Sequence, residues 1–204
     1  MKSFVTIVVL VSMLGTASAH AGEGGKLAGH AAKTRLPQNE ALRQTLLKMG
    51  QEDQAQAVLA FQGPVPNGAE NAQARVALLK QIVAEYGWPT ISLVGEDGAN
   101  AAWLVAQHAD FDVPFQRQCL ALVEEAYQRG EVTGMHLAYL TDRVLIAEHK
   151  PQLYGTQGAP IYSAEEKAQV EARRKKLGLP SMAEMARERG KMYQRLYQQP
   201  PRAR

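Results

Sequence analysis

Residues 133–149 read TGMHLAYLTDRVLIAEH, and the fold class turns on how they are read. Leu137, Leu140, Val144 and Ala147 recur at the spacing of one helix face. Tyr139 and Ile146 fall on the far side, and Leu145 with Ala138 closes a third. A helix apolar on so many sides is expected to be buried among other elements. Thr133 is a ready N-cap, because its hydroxyl can accept from a first-turn N–H. Pro151 lies just beyond the predicted end near His149.

Upstream, Asp112 can cap a helix with Pro114 in its first turn, and Gly130 stops that helix. A helix over 100–109 places Ala101, Leu104, Val105 and His108 on one inner face. Before it, Thr90 to Gly98 is expected to be a connection with strand-like residues at its start and no evident partner strand. Ala72, Val76, Leu79, Ile82, Val83 and Tyr86 form the stripe of a helix over about 69–86, ended by Gly87 and Pro89. Pro37-Gln38-Asn39-Glu40 introduces a helix over about 40–60 with Leu42, Leu46, Leu47 and Met49 at helical spacings. The Gly/Pro cluster of 61–68 ends it. Downstream, Ser163-Ala-Glu-Glu166 and Ser181-Met-Ala-Glu184 are two capping boxes that open two more helices. Met185, Met192, Tyr193, Leu196 and Tyr197 make a stripe expected to lie over the body of the protein. With strands almost absent and no repeat, the expected fold is all-α, an irregular multi-helix bundle with long loops.

The first residues follow a different logic. Lys2, the apolar run Phe4–Leu14 and the small-x-small patterns Ala17-Ser18-Ala19 and Ala19-His20-Ala21 make the layout of a secretory leader. The run is too short to span a bilayer, which takes roughly 20 apolar residues. The expected organisation is a signal peptide over 1–21, a flexible segment over 22–38, a helical domain over 39–178, and a C-terminal basic helix and tail over 179–204. The expected location is secreted or periplasmic, with no transmembrane segment after leader removal. The single cysteine, Cys119, excludes an intramolecular disulfide and reads as a small core residue. The formal charge of +3 is uneven, since residues 163–204 hold eleven Lys and Arg against five Asp and Glu. Acids interleave the bases, so a solvated helix face is expected there and no nucleic-acid partner.

Candidate chemistry gathers between Trp88 and Gln157. Asp142 and Arg143 sit in the helix predicted to be buried, where charges must be paired or hydrogen-bonded. They are read either as an ion pair locking helices or as the charged floor of a pocket. His108 ends a helix in the run Gln107-His108-Ala109-Asp110, where Asp110 could orient the imidazole of a general base. The loop KPQLYGTQG over 150–158 carries Tyr154, Thr156 and Gln157, uncharged donors and acceptors suited to a small polar molecule. There is no G-x-S-x-G elbow, P-loop or H-E-x-x-H motif. Ligand types at His108, Asp110, Asp142 and Asp53 would suit a metal, but their spacing does not demand one. No metal and no cofactor are expected.

The segments Leu42-Arg43…Leu46-Leu47…Met49…Asp53-Gln54, YGWPTISLVGEDGANAAWLVAQHAD, FQRQCL, LAYLTDRV and KPQLYGTQ resemble an uncharacterised bacterial domain-of-unknown-function family. The resemblance spans about residues 40–178 and implies neither reaction nor cofactor. It places Gln107, His108, Asp110, Asp142, Arg143, Tyr154, Thr156 and Gln157 in signature segments. That family's pattern often has a basic residue shortly after the Asp-Gln pair, where this chain has Gln56-Ala57. Two functions are expected to compete. In the first, His108 is the base, Asp110 its orienter, Arg143 an anion clamp held by Asp142, and Gln107, Tyr154, Thr156 and Gln157 the substrate contacts of a hydrolase or lyase. In the second, the chain is a non-catalytic envelope module that binds a ligand or a protein partner of unknown identity.

Overall fold

Most of the described helices begin where a side chain takes up an orphan N–H of the first turn. The computed structural model describes residues 37–158 and 160–197. Among them are seven helices and no strand: α1 (Glu40–Gln62), α2 (Gly68–Tyr86), α3 (Ile91–Gln107), α4 (Val113–Gln128), α5 (Gly134–Ala147), α6 (Ala164–Lys176) and α7 (Met182–Tyr197). The fold is all-α. Asn39 accepts from Leu42 N, Asp112 from Phe115 N, and Thr133 from His136 N. Ser163 and Glu166 complete a reciprocal capping box, and Ser181 with Glu184 makes the same exchange before α7. The leader and most of the N-terminal segment lie outside the described residues, as does the tail beyond Tyr197.

α3 is the centre of the core. Trp103, Val105, Leu46 of α1, Leu79 of α2, Val123 of α4 and Leu140 of α5 are all closed to solvent around it. α1 lies tightly against α3 because Gly50 faces Ala101; a Cβ added at Gly50 would sit 2.8 Å from the Ala101 Cβ. α5 is buried at Leu137, Ala138, Tyr139, Leu140 and Val144, while Ile146 is exposed. Cys119 is buried in the same core, and burial pushes its thiol up to about 12. An inert thiol follows from that.

One element differs from the sequence expectation. Residues 91–94 are a helical turn, not an extended connection. Gly95, at φ 76° and ψ 167°, separates that turn from the rest of α3. The kink cuts the turn's carbonyls off from the helix, and the chain before α1 takes them up. Gln38 N–H donates to Ser92 O at 3.2 Å and Asn39 N–H to Leu93 O at 2.9 Å. Glu131 closes the other end, accepting from the Ser92 amide at 2.8 Å and from its hydroxyl. These partners lie 39 to 54 positions away, so local propensity carried no sign of them.

Candidate functional site

α3 ends at a corner, and the polar side chains around it divide into two groups. On the α1/α2 side stands His108, the C-cap of α3. Its Nδ1 meets Asp53 Oδ2 at 2.5 Å. Asp53 projects from α1, and only 7% of its side chain is exposed. Its other oxygen faces Arg75 Nη2 of α2 at 3.5 Å. The same Nη2 donates to Gln56 Oε1 at 2.9 Å, and Gln56 Nε2 donates to Gly68 O at 2.7 Å. A buried carboxylate is thus shared between an imidazole and a guanidinium, with the imidazole on the short contact. A fifth of the His108 side chain remains open, and its Nε2 makes no hydrogen bond among the described residues.

On the α4/α5 side, Arg143 is 7% exposed and its Nη1 donates to Asp110 Oδ2 at 3.3 Å. Burial lowers the Arg143 guanidinium from its ordinary range, and Asp110 opposes that shift. Gln116 Nε2 donates to Asp110 Oδ1 at 3.2 Å and to the carbonyls of Ala106 and Gln107. Gln107 is buried, with its amide donating to Tyr139 O at 3.4 Å. Gln157 Nε2 donates to the same carbonyl at 3.3 Å.

Asp142 anchors the loop between α5 and α6. Its carboxylate accepts from Leu153 N at 2.8 Å, Tyr154 N at 3.0 Å, Thr156 N at 2.8 Å and Thr156 Oγ1 at 2.9 Å. Burial raises its carboxyl above the ordinary range, and the four donors work against that rise. Arg174 of α6 ties the same loop down from the other side. Its Nη1 donates to Tyr154 O at 2.6 Å and its Nε to Pro180 O at 2.8 Å. Gly155, at φ 63°, lets the chain turn tightly under Tyr162, whose hydroxyl a Cβ would meet at 3.2 Å.

Two expected pairings are therefore replaced. Asp110 does not orient His108; Asp53 does, because α1 packs so closely on α3. Asp142 does not hold Arg143; consecutive helix residues point about 100° apart and cannot face each other. Tyr154 and Thr156 meet Asp142 through their backbone, and Thr156 also through its hydroxyl. The described residues hold no group of three His, Cys, Asp or Glu arranged to bind a metal.

Arg75 was not expected. The signal was present, since it stands four positions before Leu79 and seven before Ile82 on the apolar stripe of α2.

Another histidine behaves differently. His136 stacks on Trp103 with ring centroids 4.7 Å apart, and its Nε2–H donates to Asn100 Oδ1 at 3.1 Å. Burial lowers its pKa to about 4. The unfolded chain therefore binds a proton here, at about pH 6.5, that the folded chain refuses until about pH 4. Stability from this group is complete above pH 6.5 and falls with pH through that window, by roughly 3 kcal/mol in total. Urea unfolding of wild type and His136→Gln between pH 7 and pH 4 checks it: the substitution should flatten the acid slope. An unchanged slope would place the linkage elsewhere.

The fold and these contacts define an all-α protein with a carboxylate-held histidine at the end of its central helix. Residues 33–195 match the model of a family of unknown function, DUF6624, and the chain belongs to that family. The match reaches through most of α7, so the family unit includes the C-terminal helix. Neither a curated protein nor a solved structure matches the chain.

Proposed function

We propose that this is an exported enzyme that uses His108 for acid–base chemistry on a small polar or anionic substrate. The observation that carries the reading is the 2.5 Å contact of His108 Nδ1 with a buried carboxylate while Nε2 is left free. A carboxylate on one ring nitrogen fixes tautomer and orientation, and presents the other nitrogen to take and return a proton. Arg75 faces the far oxygen of Asp53 at 3.5 Å and so helps to fix the carboxylate's orientation. Hydrolysis and elimination both need this proton traffic. Export rests on the leader layout of residues 1–21, and predicts a mature chain beginning after Ala19 or Ala21, read by intact mass.

The test is a panel of carboxylic esters, phosphate esters and β-substituted acids, assayed with the mature protein and His108→Gln. Turnover by wild type should fall about 10²- to 10⁴-fold in the variant. A variant with undiminished turnover would remove His108 from the chemistry.

A second reading is a non-catalytic binding module of the envelope. It is favoured by the way the Asp142 carboxylate and the Thr156 hydroxyl satisfy one another and the loop backbone while closed to solvent. In that case His108→Gln changes stability and no turnover is found.

A further inference from the structure

Between α1 and α2 the surface opens into a groove of about 530 Å³, inside the range of small-molecule sites. Its walls include Met49, Leu59, Val65 and Leu78, and Leu59 is 53% exposed. Its polar lining includes Gln56, Asn71 and Arg75. Glu52 also lines it and is exposed to solvent.

Arg75 is the unusual member. Its side chain is 92% buried, yet its only hydrogen bond is from Nη2 to Gln56. Nε is closed off with no partner, and Nη1 makes no hydrogen bond among the described residues. Its one counter-charge, Asp53, stands at 3.5 Å and gives its short contact to His108. A buried guanidinium so poorly matched favours an anion, which would satisfy its spare N–H groups in fork geometry.

We propose that the groove binds a small amphipathic anion, its hydrocarbon body against Leu59, Val65 and Leu78 and its single anionic head on Arg75. Glu52 at the rim disfavours a second negative charge and so selects singly charged ligands over polyanions. The site shares Arg75 with the Asp53–His108 cluster but does not use the His108 proton, so binding read by amide shifts stands or falls without any turnover.

Octanoate is the probe, followed by amide shifts in the folded full-length mature chain. Saturable shifts are expected at Asn71, Ala74 and Leu78. Octan-1-ol, with the same chain and no charge, should bind roughly tenfold more weakly or worse. Arg75→Gln should erase that preference for the anion. Ala74→Trp, at an exposed wall position that leaves Asp53, Arg75 and His108 in place, should block both ligands. Equal affinity for the two ligands, binding that survives Ala74→Trp, or no saturable shift at millimolar octanoate each overturns the proposal.

Discussion

Replacing Asp142 with Ala should destabilise the protein by about 4 kcal/mol, because four donors then lose their shared acceptor inside the protein. The three amides of Leu153, Tyr154 and Thr156 and the Thr156 hydroxyl all converge on that carboxylate. A loss of this size corresponds to roughly 10 °C in Tm for a domain of this length. Asp142→Asn should cost less. It removes the charge that burial disfavours and keeps one oxygen to accept. Hydrogen exchange at the three amides should quicken in both variants, more in Ala. A loss under about 1 kcal/mol for Asp142→Ala would mean that the loop is held by other contacts. Arg174, buried and bonded to Tyr154 O and Pro180 O, is the first alternative.

Asp53→Ala is the second large effect. It leaves the Arg75 guanidinium buried without a counter-charge and the His108 ring without its short partner. Breaking a buried pair from one side costs about 3–5 kcal/mol. The double variant Asp53→Ala/Arg75→Met should recover much of that loss, since it removes the orphaned cation together with its partner. Urea unfolding of wild type, both single variants and the double variant closes the cycle. Strict additivity of the two single losses would show that Asp53 and Arg75 do not act as a pair.

The contrast between these two carboxylates shows what the sequence could and could not convey. Helix boundaries were legible because their causes are local. Asp112, Thr133, Ser163 and Ser181 each satisfy an amide three residues on, and Gly130 and Gly178 take up positive φ after α4 and α6. The burial of α5 was legible from apolar residues on several sides. Partner choice was not. The sequence offers His108 an acid two positions away, whereas the fold delivers Asp53 from 55 positions away. What brings it there is the close crossing of α1 and α3 at Gly50 and Ala101, which no pattern within either helix announces. Asp142 and Arg143 looked like a pair because they are adjacent, although helix geometry turns them apart. Arg75 was hidden in plain order, a cation at a stripe position read for its apolar neighbours.

The loop over 150–158 carries a similar lesson. Its dense donors suggested ligand recognition, and much of that capacity is used within the fold. Thr156 Oγ1 goes to Asp142, Gln152 Nε2 to Gln157 O, and Gln157 Nε2 to Tyr139 O. His108, on the other flank of the corner, is held by a buried carboxylate and keeps an Nε2 that makes no hydrogen bond among the described residues. That asymmetry is why the functional reading rests on the Asp53–His108 contact and not on the loop.

The most direct test of that claim is the tautomer of His108, read from long-range ¹H–¹⁵N spectra of the mature protein at a pH where the ring is neutral. Wild type should carry its proton on Nδ1, toward Asp53, with Nε2 bare. Asp53→Ala should return the ring to the Nε2–H form common in free histidine, and Asp110→Asn should leave it unchanged. A wild-type ring already protonated at Nε2, or one that responds to Asp110 and not to Asp53, would contradict the account.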